Sequence, residues 1–63
     1  MRYYCIKLKG ISKNNNGINY VTLIAGENAE VALENAEKEF QDEQDLKEMY
    51  LKDIHYIEDN REV

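Results

Sequence analysis

The chain has no proline and no tryptophan, and its 63 residues include only one cysteine, one histidine and three glycines. The single Cys5 excludes an intrachain disulfide, and Cys5 and His55 do not make up the ligand set of a structural zinc site. A domain this short buries only about 60% of its unfolded surface, so marginal stability is expected without such a staple. We therefore predict one domain over residues 1–63, with a frayed tail at about 60–63, and self-association as a homodimer.

Acidic residues are missing from the first 26 positions, which carry four bases, whereas Glu27–Glu48 carries nine acids and two bases. The remaining residues add four acids and two bases, which gives the net charge of −5. Sorted charge produces surfaces of opposite sign, and such surfaces select partners without defining a reaction. The acidic balance also argues against nucleic acid as the partner.

Long apolar runs are absent as well, since nothing approaches the ~18 residues that a membrane span needs. Met1 and Arg2 lead into a strand pattern rather than a signal peptide. The sequence therefore predicts no membrane partner and a cytoplasmic location, with a reduced cysteine.

Alternating apolar residues predict two strands, Arg2–Leu8 and Ile18–Ala25. Between them lies a polar stretch, Ser12–Gly17, whose residues tolerate a positive φ and favour a chain reversal. Both sides of the second strand are rather apolar, which indicates extensive burial.

A helix is predicted from Ala29 to about Gln41, with Asn28 as its N-cap. Its apolar side chains fall within one arc of about 100° and are expected to pack on the sheet: Ala29, Ala32, Leu33, Ala36 and Phe40.

The segment Leu46–Ile57 fits helical spacing, and its part Tyr50–Ile57 also suits a strand. A hairpin under one helix is rarely stable, so a third strand, Tyr50–Glu58, is favoured. The expected fold is α+β: a single-layer three-stranded sheet with one helix packed on one face, in the order ββαβ.

An acidic row is predicted on the helix side opposite the core, with Val31 beside it as an apolar anchor: Glu27, Glu30, Glu34 and Glu37. One interpretation is an ordinary solvated helix face. The other is a partner-binding surface that competes for a cationic groove on a nucleic-acid-handling protein.

One helix covers only one sheet face, so the sequence predicts a self-association surface on the other: Tyr3, Cys5, Tyr20, Ile24 and Tyr56. Alternatively, some of these residues belong to the core and the stems of Lys7 and Lys9 cover the rest. A third interpretation, stacking on single-stranded nucleic acid, conflicts with the net charge.

Catalytic motifs are not recognisable in the sequence. His55 and Asp53 share a strand face, but two ligands do not make a catalytic metal site. Cys5 has no helix N-terminus or histidine within its own strand to activate it. We therefore expect no enzyme activity and no cofactor.

Three segments, Arg2–Leu8, Val21–Ala32 and Lys52–Glu58, resemble small acidic ββαβ proteins of phages and mobile elements of Gram-positive bacteria. Some such proteins are anti-CRISPR or other host-takeover inhibitors that dock on one host protein. The resemblance implies a non-enzymatic module that binds and inhibits a host protein through the acidic helix face or the open sheet face. The alternative is a small homodimeric structural or accessory protein.

Overall fold

The computed structural model describes residues 2–57 as three strands and one helix. They follow in the order β1 (Arg2–Ser12), β2 (Gly17–Gly26), α1 (Ala29–Glu43) and β3 (Leu46–Ile57). The predicted ββαβ order and α+β class are confirmed, with one helix over a single sheet. The predicted frayed tail at about 60–63 lies outside the described residues.

The sheet is antiparallel, and β1 is its central strand, in the order β2-β1-β3. A short hairpin places β2 on one side of β1. The helix then carries the chain over β1, so that β3 pairs on the other side, parallel to β2. β1 therefore has a neighbour along both edges, and its side chains form the middle row of each sheet face.

All four elements are longer than the sequence pattern predicted: β1 continues to Ser12 rather than Leu8, and β3 begins at Leu46 rather than Tyr50. The helical alternative for Leu46–Ile57 is wrong. Along this segment the chain pairs with β1 from Ser12 to Tyr3, and these long-range hydrogen bonds outweigh a local helical period.

The hairpin loop between β1 and β2 has the predicted turn chemistry. Asn15 adopts a φ of 66°, which asparagine tolerates better than most residues. The Ser12 hydroxyl accepts hydrogen bonds from the backbone N–H groups of Asn14 and Asn16, at 3.2 and 3.1 Å.

The helix begins as predicted, since the Asn28 side chain accepts a hydrogen bond of 2.9 Å from the Val31 N–H. Its buried side lies against the centre of the sheet. Among residues 2–57, the buried core consists of six side chains: Tyr4, Ile6, Leu8, Ala32, Ala36 and Phe40. Leu33 packs against this core and is half-buried, whereas Ala29 is exposed, contrary to prediction. Helix burial starts only at Ala32, one turn later.

The predicted placement of Tyr20, Ile24 and Tyr56 on the uncovered sheet face is wrong. Tyr20 and Ile24 pack against the core, and the Tyr20 ring stacks on Phe40 with 4.6 Å between centroids. Tyr56 is the register partner of buried Tyr4, so it too lies on the helix side, although half of it is exposed. Both sides of β2 are apolar, so alternation by itself did not show which one the helix covers.

Two register shifts interrupt the pairing of β1 with β3. At each of them β3 has one extra residue, Lys52 in the first and Lys47 in the second. Lysines and bulges at an edge strand hinder pairing with the edge of another sheet. The bulges also change the direction of side chains along β3.

Candidate functional site

The open face is the side of the sheet opposite the helix. Residues that are directly paired across strands share a face, so the neighbours of the alternate β1 residues Tyr3, Cys5, Lys7 and Lys9 define it. These neighbours are Ala25, Leu23, Val21 and Asn19 on β2 and Ile57, His55, Asp53 and Tyr50 on β3. Of the predicted self-association residues, the structure therefore brings together only Tyr3 and Cys5 here.

One part of the open face is apolar. Leu23 and Val21 are 64% and 59% exposed, and Tyr3, one strand away, is 42% exposed. On the same strands the alternate residues Ile24, Tyr20 and Tyr4 pack under the helix. The prediction of Tyr20 and Ile24 on the uncovered face implied that the alternate residues Val21 and Leu23 lie on the covered one, which is wrong. Val21 and Leu23 are the large apolar side chains of β2 that the structure leaves exposed to solvent.

A groove of about 370 Å³ crosses the open face beside this apolar part. It reaches from β2 over β1 to β3. It is lined by Lys7, Asn19, Val21 and Lys52, and also by Leu8 and Tyr20, whose side chains pack under the helix. Lys52 reaches the groove because it is the extra residue of a β3 bulge. Strict alternation would send the neighbour of Asp53 to the helix side. No sequence pattern marks such a bulge, so sequence reasoning missed this residue.

The only cysteine and the only histidine of the chain, Cys5 and His55, are direct register partners on the open face. Sequence analysis considered each one separately, because register cannot be read from a single strand. They supply two soft ligands, fewer than the three or four that zinc sites use. Within residues 2–57, no group of three or more His, Cys, Asp or Glu side chains is placed to hold a metal ion.

Of the predicted acidic row, the structure places Glu30 and Glu34 on the exposed side of the helix. Glu27, Glu30 and Glu34 are exposed, while Glu37 and Val31 are half-buried. Glu27 precedes the helix, which starts at Ala29. The role of the row as a docking surface stays a prediction.

A carboxylate that sequence analysis did not select fastens the helix to β2. Glu39 Oε1 accepts hydrogen bonds from the Tyr20 hydroxyl at 2.6 Å and the Thr22 hydroxyl at 2.8 Å. The bonds from Tyr20 and Thr22 lower the pKa of Glu39. Conversely, the bond to Glu39, together with burial, raises the pKa of Tyr20 to about 12. The cluster holds two elements together and directs no polar group to the open face.

The helix in residues 2–57 is too short and too polar to cross a membrane. The sequence matches no protein-family model and no curated protein, and the structure matches no solved structure.

Proposed function

We propose that this chain is a non-enzymatic protein-binding module that docks on another protein through its open face and inhibits it. The resemblance to small phage and mobile-element proteins supports a host protein, in the cytoplasm, as the target. The single observation that carries the proposal is the exposure of Leu23 and Val21 next to Tyr3 on a sheet face without a covering layer. Contiguous exposed apolar side chains typically mark protein-binding sites.

The open face is favoured over the acidic helix row as the docking surface. Glu30 and Glu34 are exposed charges on a helix exterior, and a row of this kind is also what keeps a surface helix soluble. Exposed leucine and valine do not improve solubility. Their burial against a partner removes apolar surface from water, which contributes about 25 cal/mol of stabilisation per Å².

A homodimer through the same face is the alternative. The small core, with six buried hydrophobic side chains, favours it. The position of Lys7, near mid-length of the central strand, argues against this homodimer. A two-fold axis at the middle of the open face would bring the two copies of Lys7 together, and their like charges repel. We therefore treat the dimer as an outcome that the following experiment must detect.

The experiment captures partners from a host-cell lysate, using the tagged, unmodified chain and two double variants as baits. V21T with L23T removes the apolar contact while keeping residues that favour strands. E30K with E34K reverses charge on the helix exterior and is the matched control for the other surface. Circular dichroism first verifies that all three chains are folded. A captured protein is then purified, and its activity is measured with and without the added chain.

We expect one partner to be captured by the unmodified chain and by E30K with E34K, lost with V21T and L23T, and inhibited by the added chain. Loss of the partner only in E30K with E34K would move the site to the acidic row. If light scattering shows a dimer that V21T with L23T dissociates, and no partner is captured, the homodimeric alternative replaces the proposal.

A further inference from the structure

We infer that the groove between Lys7 and Lys52 receives an acidic side chain of the partner, so that the open face selects segments in which glutamate or aspartate lies close to apolar residues. This inference rests on the proposed function and deepens it by stating the chemistry of the partner. Its basis is the combination of two lysines, one amide side chain and Val21 in one groove that crosses all three strands.

The two lysines come from different strands and line the same groove, next to the first β3 bulge. Lys7 is the register partner of Asp53, and the next pair is Leu8 with Leu51, which leaves Lys52 as the extra residue. The bulge thus keeps Leu51 opposite Leu8 and adds a second cation beside Lys7. Bulges often re-aim a side chain near a functional site.

The groove lysines form no ion pair in the described part of the chain. Among residues 2–57 the ion pair that forms joins Lys13 to Asp45, at 3.2 Å, far along the sheet. Asp53 stands across from Lys7 but makes no ion pair with it there. Lys47, the lysine of the other bulge, already donates a hydrogen bond to Asn15. Two unpaired cations in one groove, on a chain of net charge −5, form a local site for an anionic group.

The neighbouring residues favour a carboxylate on a protein segment over the phosphates of a nucleic acid. Val21 lines the groove, and Leu23 follows it on the same face. Aliphatic side chains suit apolar residues of a peptide and offer no stacking platform for bases. A long polyanion also meets the repulsion of the whole acidic chain, whereas one or two carboxylates on a short segment meet little of it.

The test uses two synthetic 12-residue peptides and isotope-labelled protein observed by NMR. One peptide has alternating leucines in one half and two glutamates in the other half, and the second peptide has lysine in place of each glutamate. We expect the acidic peptide to shift the backbone signals of Lys7, Asn19, Val21 and Lys52, and not those of the helix exterior. The lysine peptide is expected to bind at least about tenfold more weakly, because its charge is repelled.

The variant pair K7Q with K52Q is compared with K38Q plus K47Q, which makes the same change in net charge outside the groove. We expect K7Q with K52Q to lower the affinity for the acidic peptide about five- to tenfold, and the control pair to lower this affinity less than about twofold. An equal loss of affinity in both pairs would overturn the inference, because the loss would then come from the change in net charge and not from the groove. Equal affinity for the two peptides would overturn it as well.

Failure of this inference is distinguishable from failure of the proposed function. If V21T with L23T abolishes partner capture but K7Q with K52Q does not, the open face is a docking surface without preference for acids. If single-stranded oligothymidine shifts the groove signals at lower concentration than the acidic peptide, the groove binds nucleic acid and the inference is wrong.

Discussion

The Tyr20 hydroxyl donates a hydrogen bond of 2.6 Å to Glu39 and thereby links the edge strand β2 to the helix. The Thr22 hydroxyl donates to the same carboxylate oxygen at 2.8 Å. In a sheet that only one helix covers, this contact fixes which side of β2 faces inward. Because Tyr20 and Thr22 face the helix, the alternate residues Val21 and Leu23 are exposed on the open face.

Replacing Glu39 is expected to loosen the helix from β2. E39A leaves the Tyr20 and Thr22 hydroxyls without their acceptor and should lower the free energy of unfolding by about 1 kcal/mol, since the site is partly solvated. E39Q keeps an acceptor oxygen and should cost less. Urea unfolding followed by circular dichroism measures both, and E34A on the helix exterior is the control. Equal effects of E39A and E34A would contradict the contact.

The same cluster makes stability depend on pH at both ends of the scale. The hydrogen bonds from Tyr20 and Thr22 lower the pKa of Glu39, so its contribution is present above the unfolded pKa and is lost as pH falls through the folded one. The pKa of Tyr20 is raised from 10.0 to about 12, chiefly by its bond to Glu39. The folded chain therefore holds this proton longer, and stability falls as pH rises between these two values.

Thermal unfolding across this pH range checks the expectation. Y20F should flatten the alkaline decline that Tyr20 causes. Y50F is the matched control, because the Tyr50 hydroxyl donates to Glu48, which raises the pKa of Tyr50 as well, but on the surface. An alkaline decline that persists in Y20F and vanishes in Y50F would refute the assignment to Tyr20.

The three glycines differ in how much space an added methyl group would find, so replacing each by alanine tests the packing around it. A Cβ at Gly26 would lie 2.8 Å from the backbone nitrogen of Ala32, whereas one at Gly10 would meet side-chain atoms of Leu46 and Phe40 at 2.7 and 2.9 Å. At Gly17 the nearest atom is Lys9 Cε at 3.4 Å. Backbone cannot move aside as a side-chain tip can.

We therefore expect G26A to destabilise the fold by about 2–3 kcal/mol, G10A by about 1 kcal/mol and G17A by less than about 0.5 kcal/mol. Unfolding midpoints in urea give the order. A G26A variant as stable as G17A would show that the helix does not approach β2 so closely.

Phe40 is the largest fully buried side chain and stacks on Tyr20. F40A removes most of the helix side of this contact and is expected to cost about 3–5 kcal/mol, enough to unfold a marginal domain. F40L keeps most of the volume and should remain folded with a smaller loss. Circular dichroism and tryptic digestion distinguish these outcomes. A stable, protease-resistant F40A would mean that the core does not depend on this residue.

The alternation of β1 and the Asn28 cap made the element types readable from the sequence. Local patterns could not give the register of β3, since its pairing with β1 is a long-range contact. For this reason the partnership of Cys5 with His55 and the bulge at Lys52 were not predictable. The cluster around Glu39 was missed for the same reason, because Tyr20 and Thr22 lie on another element.

Short-range physical chemistry in the sequence therefore determined the first two strands, the helix and its capped start. The third strand was favoured over a helix only because a hairpin under one helix is rarely stable. Tertiary structure decided which side of β2 became the interior. Both sides of that strand are apolar, and the packing of Ile24 and Tyr20 under the helix, together with the bond from Tyr20 to Glu39, selects the inward one. That choice exposed Leu23 and Val21, and the bulge in β3 brought Lys52 beside Lys7. The candidate site depends on pairing between distant segments, which a period along one segment does not encode.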